Sequence, residues 1–220
     1  MLRARGPLAL FTQPALKVER MSAPVMTPSA ARGLLEAVLW KPAIRWRVER
    51  IRVLAPIRFT SFRRNEVNSK APAPSSGVMR AVAPPPVLYA DDDRAQRNTV
   101  ALCEVDYVIE ARLVLTPRAG PEDNVPKFVD MFHRRVEKGQ HFHQPYFGCR
   151  EFAADVLPAD DAPSPIAESR PLGRILWDIV FDPARGNRPI FFEAELRDGV
   201  MEVPAEPPTL RATGRPGGTT

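Results

Sequence analysis

An α+β fold, a βαββαβ core followed by a small β-rich extension, is predicted by three observations. Thr27-Pro28-Ser29 opens a run of apolar residues at helical spacing, and Asn124 opens a second. Around these two runs lie segments in which apolar residues alternate, as in strands with one buried face. Beyond the second helix the chain returns to extended segments only, which supplies the β-rich extension.

In chain order, Leu8 to Thr12 is a short strand candidate that turns at Pro14. Thr27 is the N-cap of the first helix and Pro28 its first residue; Ala31, Leu34, Leu35 and Val38 form one face, and Pro42 ends it near Trp40. Gly33 inside that helix costs about 1 kcal/mol relative to alanine, which predicts a close contact there. Ile44, Trp46 and Val48 alternate, then Ile51 and Val53 resume in the opposite phase, as a strand with a bulge does. Ile57, Phe59 and Ser61 continue as a second strand ending in Arg63-Arg64-Asn65. Residues 71–86, APAPSSGVMRAVAPPP, read as a long exposed loop unable to form a helix or a central strand. Tyr107, Ile109, Ala111, Leu113 and Leu115 share one strand face. The helix capped by Asn124 runs to Lys138, with Phe128, Met131, Phe132 and Val136 inward and Gly139 at the left-handed stop. Ile175 to Phe181 and Ile190 to Leu196 are further strands, and Arg197-Asp198-Gly199 turns into Val200 to Val203. The expected divisions are residues 1–150 for the core domain, 151–204 for the extension and 205–220 for a disordered tail.

The 220 residues suffice for one large domain or two small ones, and 44% hydrophobic with 26% charged residues is an ordinary globular composition. A formal net charge of +5 favours a polyanionic partner. Two cysteines, Cys103 and Cys149, make neither a disulfide framework nor a zinc ribbon, and the plain reading is a reducing cytoplasm. No apolar stretch approaches the roughly 20 residues that span a bilayer, and the basic N-terminus lacks a signal-peptide core. No membrane partner is expected.

The chemistry gathers in one run, Lys127 to Phe152. It holds all 3 histidines (His133, His141 and His143), together with Lys127, Arg134, Arg150, Tyr146, Gly139 and Gly148. Imidazoles that change charge near neutrality, cationic side chains and flat aromatic surfaces suit the handling of a single-stranded polynucleotide. Lys127 would either touch a reacting phosphate or stand solvated. His133 reads as a surface or packing residue. His141 and His143, two apart, would share a face if extended, as an acid/base pair or as a brace for the loop. Tyr146 and Phe147 would stack bases or anchor the loop in the core. With Cys149 these histidines are potential zinc ligands, but no fourth ligand or familiar spacing accompanies them, so no metal and no cofactor is expected.

Elsewhere, Lys17, Arg20 and Arg32 flank the first helix start, whose free amides and dipole favour a phosphate. Arg63 and Arg64 at a strand end would clamp RNA, and Arg97 would do so too. Arg94 and Arg97 stand beside Asp91, Asp92 and Asp93, whose charge at least one of them is expected to neutralise.

Several segments in order, GPLALFTQP, KVERMSAPVMTPSAARGLLEAVLWKPAIRW, PIRFTSFRRNEV, DDDRAQRN, KGQHFHQPYFGCREF and LGRILWDIVFD, resemble the subtype I-C member of the CRISPR-associated Cas-five family, also called CasD. The resemblance implies a ferredoxin-like (RRM-like, RAMP-type) domain with a C-terminal β extension. It implies metal-independent cutting of precursor CRISPR RNA within its repeat, by attack of a 2′-hydroxyl on the neighbouring phosphorus. The protein would then cap the 5′ handle in a type I-C interference complex. Its partners would be the CRISPR RNA with its repeat hairpin, the backbone and large subunits, and target DNA indirectly. The family's catalytic pattern is a tyrosine before WKP and a Lys-His pair opening the second helix. Here Leu39 and Phe128 occupy two of those places and only Lys127 matches. Either His141, His143 and Tyr146 take over the chemistry, or the chain is an inactive RNA-binding subunit.

Overall fold

The computed structural model describes residues 1–208 except 14, 15, 17, 18, 71, 72, 82, 83, 85, 86, 88 and 182–185. Its spine is β5 (Arg94–Leu115), a strand of 22 residues. The C-terminal half of β5 pairs antiparallel with β1 (Leu2–Ala9) on one side and β3 (Ile44–Val53) on the other; β6 (Asp155–Leu157) adds to the free edge of β1. The order β6-β1-β5-β3, with α1 (Pro28–Val38) and α3 (Val125–Glu137) as the two crossovers, is the antiparallel ferredoxin-like arrangement.

The N-terminal half of β5 leaves this core as an arm. It pairs with β4 (Arg58–Val67) from Arg58 opposite Cys103 to Val67 opposite Arg94, while β2 (Arg20–Met21) runs parallel to it at Thr99 and Val100. Core and arm meet at Glu104, a non-glycine residue at φ 52° that interrupts the β1–β5 register opposite Pro7. Pro7 has no N–H to donate, so the ladder loses nothing by bulging there. On the far side, β9 (Val200–Glu202) pairs with β3 and carries the hairpin of β7 (Arg170–Val180) and β8 (Arg188–Arg197), so the sheet continues without a break.

Both long helices follow their capping signals. Thr27 Oγ1 accepts from the Ala30 amide and Asn124 Oδ1 from the Lys127 amide, and a proline stands in the first turn of each. Leu34, Leu35 and Val38 of α1 and Phe128, Phe132 and Val136 of α3 are buried against Leu2, Trp46, Ile51, Ile109 and Leu113 of the sheet. Trp46 packs against Phe132 with ring centroids 4.7 Å apart and planes tilted by 56°, and it donates Nε1–H to the Leu39 carbonyl at 2.9 Å.

Some expectations shift. The first strand is Leu2–Ala9, earlier than the apolar run 8–12, because Arg3 and Arg5 alternate with buried Leu2 and Ala4 and Arg3 grips Asp106 through two hydrogen bonds. The bulge between Val48 and Arg50 falls where the phase change placed it. Gly33 makes no close contact: a Cβ there would meet nothing within 4 Å. The proline-rich stretch carries one helical turn, α2 (Ser76–Met79), capped by Ser75 and lying between the clustered prolines. Of the expected tail, Glu206 reaches Arg47 at 3.3 Å; residues 209–220 lie outside the described part.

Candidate functional site

The outward face of α1 is the floor of a groove of about 580 Å³, lined by Ser29, Ala30, Gly33, Glu36 and Ala37, by Leu176 and Ile179 of β7, and by His143, Tyr146 and Gly148. Thr27, the N-cap, lies at its head, and the first turn of α1 holds no acidic side chain to offset the positive end of the helix dipole.

The loop that brings His143 and Tyr146 there is held by backbone contacts. The Phe142 amide donates to the Ala37 carbonyl at 2.7 Å, Leu10 to Phe147 at 3.0 Å, Phe147 to Phe152 at 2.8 Å and Ala154 to Pro145 at 2.9 Å. Phe147 is wholly buried, edge-on to Phe11 and to Tyr107 at 6.2 Å each; it anchors the loop and presents no surface to a base. Burial pushes the Tyr107 phenol far above its ordinary value, so it stands neutral beneath the loop. Gly148 sits at φ 81°, where an added Cβ would lie 1.9 Å from the Leu10 carbonyl oxygen.

The His143 and Tyr146 rings face each other at 6.2 Å with a tilt of 32°. His143 Nδ1 is 3.3 Å from the Gln144 carbonyl oxygen. A neutral imidazole that donates its Nδ1 proton there keeps Nε2 as an acceptor for another proton.

The remaining sequence-derived residues scatter. His141 is exposed and does not line the groove; residues 141–144 bend rather than extend, so the two histidines form no common strand face. Phe142 between them is 79% exposed. Lys127 lies in the first turn of α3, its Nζ 3.2 Å from Asp123 Oδ1. It does not line the groove that holds His143 and Tyr146. His133 is exposed on α3 with its ring 6.0 Å from Phe132.

Arg20, Arg64 and Arg97 converge on one carboxylate, Glu66, at 3.1, 3.9 and 3.4 Å. Arg64 also pairs with Glu151, which ties the arm to the loop beyond Gly148. Arg63 and Arg64 do not act as a pair, because neighbouring strand residues point to opposite faces and Arg63 is exposed. Arg32 is held by Glu36 at 2.9 Å and Asp178 at 2.7 Å, an ion-pair bridge from α1 to β7, so two carboxylates offset its charge. Arg94 neutralises Asp91, and Asp93 braces the turn by accepting from the Ser69 amide at 2.7 Å. Arg134 and Arg150 are exposed, and Lys17 lies outside the described residues. Leu39 (0% exposed) and Phe128 (4%) are core residues, so neither position of the family pattern can carry a polar catalytic group in this chain.

Glu66, Glu151, Asp178 and the groove wall of Leu176 and Ile179 carry no local sequence signal as site residues. They become visible only when strands far apart in the chain are paired. Among the described residues no three His, Cys, Asp or Glu side chains are gathered to hold a metal ion, and no helix is long and apolar enough to cross a membrane.

Sheet order, crossovers and the β7–β9 extension define a ferredoxin-like protein of the RAMP type. A crystal structure of a CRISPR-associated protein shares this fold at a TM-score of 0.65 with 19% identity, covering 93% of this chain and 90% of that one. A functionally uncharacterized protein from Streptococcus mutans does so at 0.64 with 17% identity, covering 92% and 90%. The family described as CRISPR-associated protein (Cas_Cas5) matches residues 1–211, and the chain belongs to it. Two relatives, each named CRISPR pre-crRNA endoribonuclease Cas5d, match nearly end to end. That of Mannheimia succiniciproducens is 48% identical over 211 residues (90% of this chain, 92% of the relative). That of Thermus thermophilus is 40% identical over 218 residues (91% and 89%).

Proposed function

We propose that this chain is a pre-crRNA endoribonuclease that cuts its repeat RNA at the α1 groove, with His143 and Tyr146 at the reacting phosphate. The observation that carries this reading is the pair of rings opening together onto a groove headed by a helix N-terminus. His143 Nε2 takes the proton from the 2′-hydroxyl, and the 2′-oxygen forms a bond to phosphorus as the bond from phosphorus to the 5′-oxygen breaks. The proton returned to that oxygen leaves a 5′-hydroxyl and a 2′,3′-cyclic phosphate. Tyr146 O–H hydrogen-bonds the phosphorane oxygen, and the dipole of α1 favours the charge that develops there. No metal enters this scheme.

Arg20, Arg64 and Arg97 face two carboxylates, Glu66 and Glu151, and leave an excess positive charge suited to an RNA backbone, which exposed Arg63, Arg134 and Arg150 extend. After cutting, the protein keeps the 5′ handle of the guide and joins the backbone and large subunits of a type I-C complex.

Incubating the purified protein with its own repeat RNA in excess EDTA is the test. The expected product is one cut within the repeat bearing a cyclic phosphate. Tight binding with no cut rejects the enzymatic reading.

A further inference from the structure

The α1 groove does not stop at Thr27. Phe11, Thr12, Thr27 and Leu176 also line a second hollow of about 330 Å³, which continues past Gln13 to Arg174 and Phe191 on the β7–β8 hairpin. At that end the Arg174 guanidinium lies over the Phe191 ring, 5.2 Å from its centroid. The arrangement is built by strand geometry. Leu176 pairs in register with Phe191 and Arg174 with Glu193, so Arg174 is the diagonal neighbour of Phe191.

The charge on Arg174 is uncommitted. Arg170 and Arg197 of the same hairpin are paired with Glu168 and Glu195 at 2.9 and 2.7 Å. Arg174, exposed, makes no ion pair among the described residues, even with Glu193 across the strand. A planar cation resting on a half-buried aromatic ring is a fixed shelf. Such a shelf offers a flat outer face on which a nucleobase can stack and edge N–H groups that can donate to a phosphate.

Resting on the endoribonuclease reading, we infer that Arg174 and Phe191 form a base-stacking subsite for an unpaired nucleotide of the RNA, at the far end of the groove that holds His143 and Tyr146. The hollow is mostly apolar and the shelf cationic, as a single-stranded nucleotide requires and a paired helix does not. The subsite holds the strand in register while the chemistry occurs elsewhere; it is a binding element.

The test uses the full-length chain and its own repeat RNA, with Arg174→Lys and Phe191→Leu. Arg174→Lys keeps the charge and removes the plane, and it sits on the surface, where folding is not at stake. Each variant is expected to weaken binding about tenfold, the effect of one lost stacked base. A scan of abasic substitutions along the repeat adds a second readout: one position is costly for the unaltered protein and costs nothing further in the variants. Affinities within twofold of the parent for both variants, or an abasic penalty that persists in them, overturn the subsite. If the parent chain cuts no RNA but the base-specific loss is seen, the subsite stands and the nuclease reading falls. If it cuts and the loss is absent, the subsite alone falls.

Discussion

Gly148→Ala is expected to be among the most damaging single-methyl changes in this chain, and its size follows from the geometry. The residue sits at φ 81°, a region that costs an L-residue about 1–2 kcal/mol. Its new Cβ would fall 1.9 Å from the Leu10 carbonyl oxygen, and that oxygen belongs to a backbone segment that cannot swing aside. Relief requires the loop to lift, which strains the Leu10–Phe147 hydrogen bond and the packing of Phe147 on Phe11 and Tyr107. With about 1 kcal/mol for the hydrogen bond, the total loss is about 3 kcal/mol. For a chain of this size each kcal/mol lowers Tm by about 2–4 °C, so a fall of about 6–12 °C is expected by thermal denaturation. Gly33→Ala is the matched control: it lies inside α1 with nothing within 4 Å of the added methyl, and is expected to stabilise by about 0.5–1 kcal/mol. Opposite signs for the same chemical change support the docked loop. A Gly148→Ala protein as stable as its parent would refute it.

Arg32→Ala is expected to cost about 1–2 kcal/mol in urea denaturation, because it removes the α1–β7 bridge and leaves Asp178 buried without its closest cation. Its affinity for repeat RNA is expected to stay within twofold of the parent; a large affinity loss at unchanged stability contradicts the bridge. Tyr107 titrates far higher when folded than its ordinary value of about 10, owing to burial. Its contribution to stability is therefore intact below about pH 10 and lost as pH rises further, while the unfolded chain's phenol ionises. Tyr107→Phe is expected to lose stability less steeply than the parent between pH 9 and 11, and equal slopes would show that Tyr107 is not buried.

Much of the fold was legible because its signals are local. Thr27 and Asn124 cap the helices they mark, Gly139 takes the left-handed stop at φ 61°, and the phase change after Val48 is a bulge. Of the arm only β4 was legible, as the strand through Phe59 and Ser61; residues 94–106 do not alternate cleanly, and their pairing with β4 spans a proline-rich stretch. The candidate site was legible in part. The histidine cluster marked the loop that carries His143 to the α1 groove, yet His141 and His143 diverge because residues 141–144 bend. The arginines were recognised as cations, but their carboxylate partners lie up to 146 residues away, as for Arg32 and Asp178. No local pattern encodes such distances. Phe128 shows the converse, since its burial follows from the same apolar periodicity that defined α3.

Single-turnover cutting of the repeat RNA by His143→Ala, with RNA binding measured in parallel, tests the assignment of the reacting groove most directly. The account predicts a rate reduced by about 10²–10⁴ with affinity kept within a few-fold, the span expected for loss of a general acid or base. Cutting at the parent rate would place the chemistry away from the α1 groove.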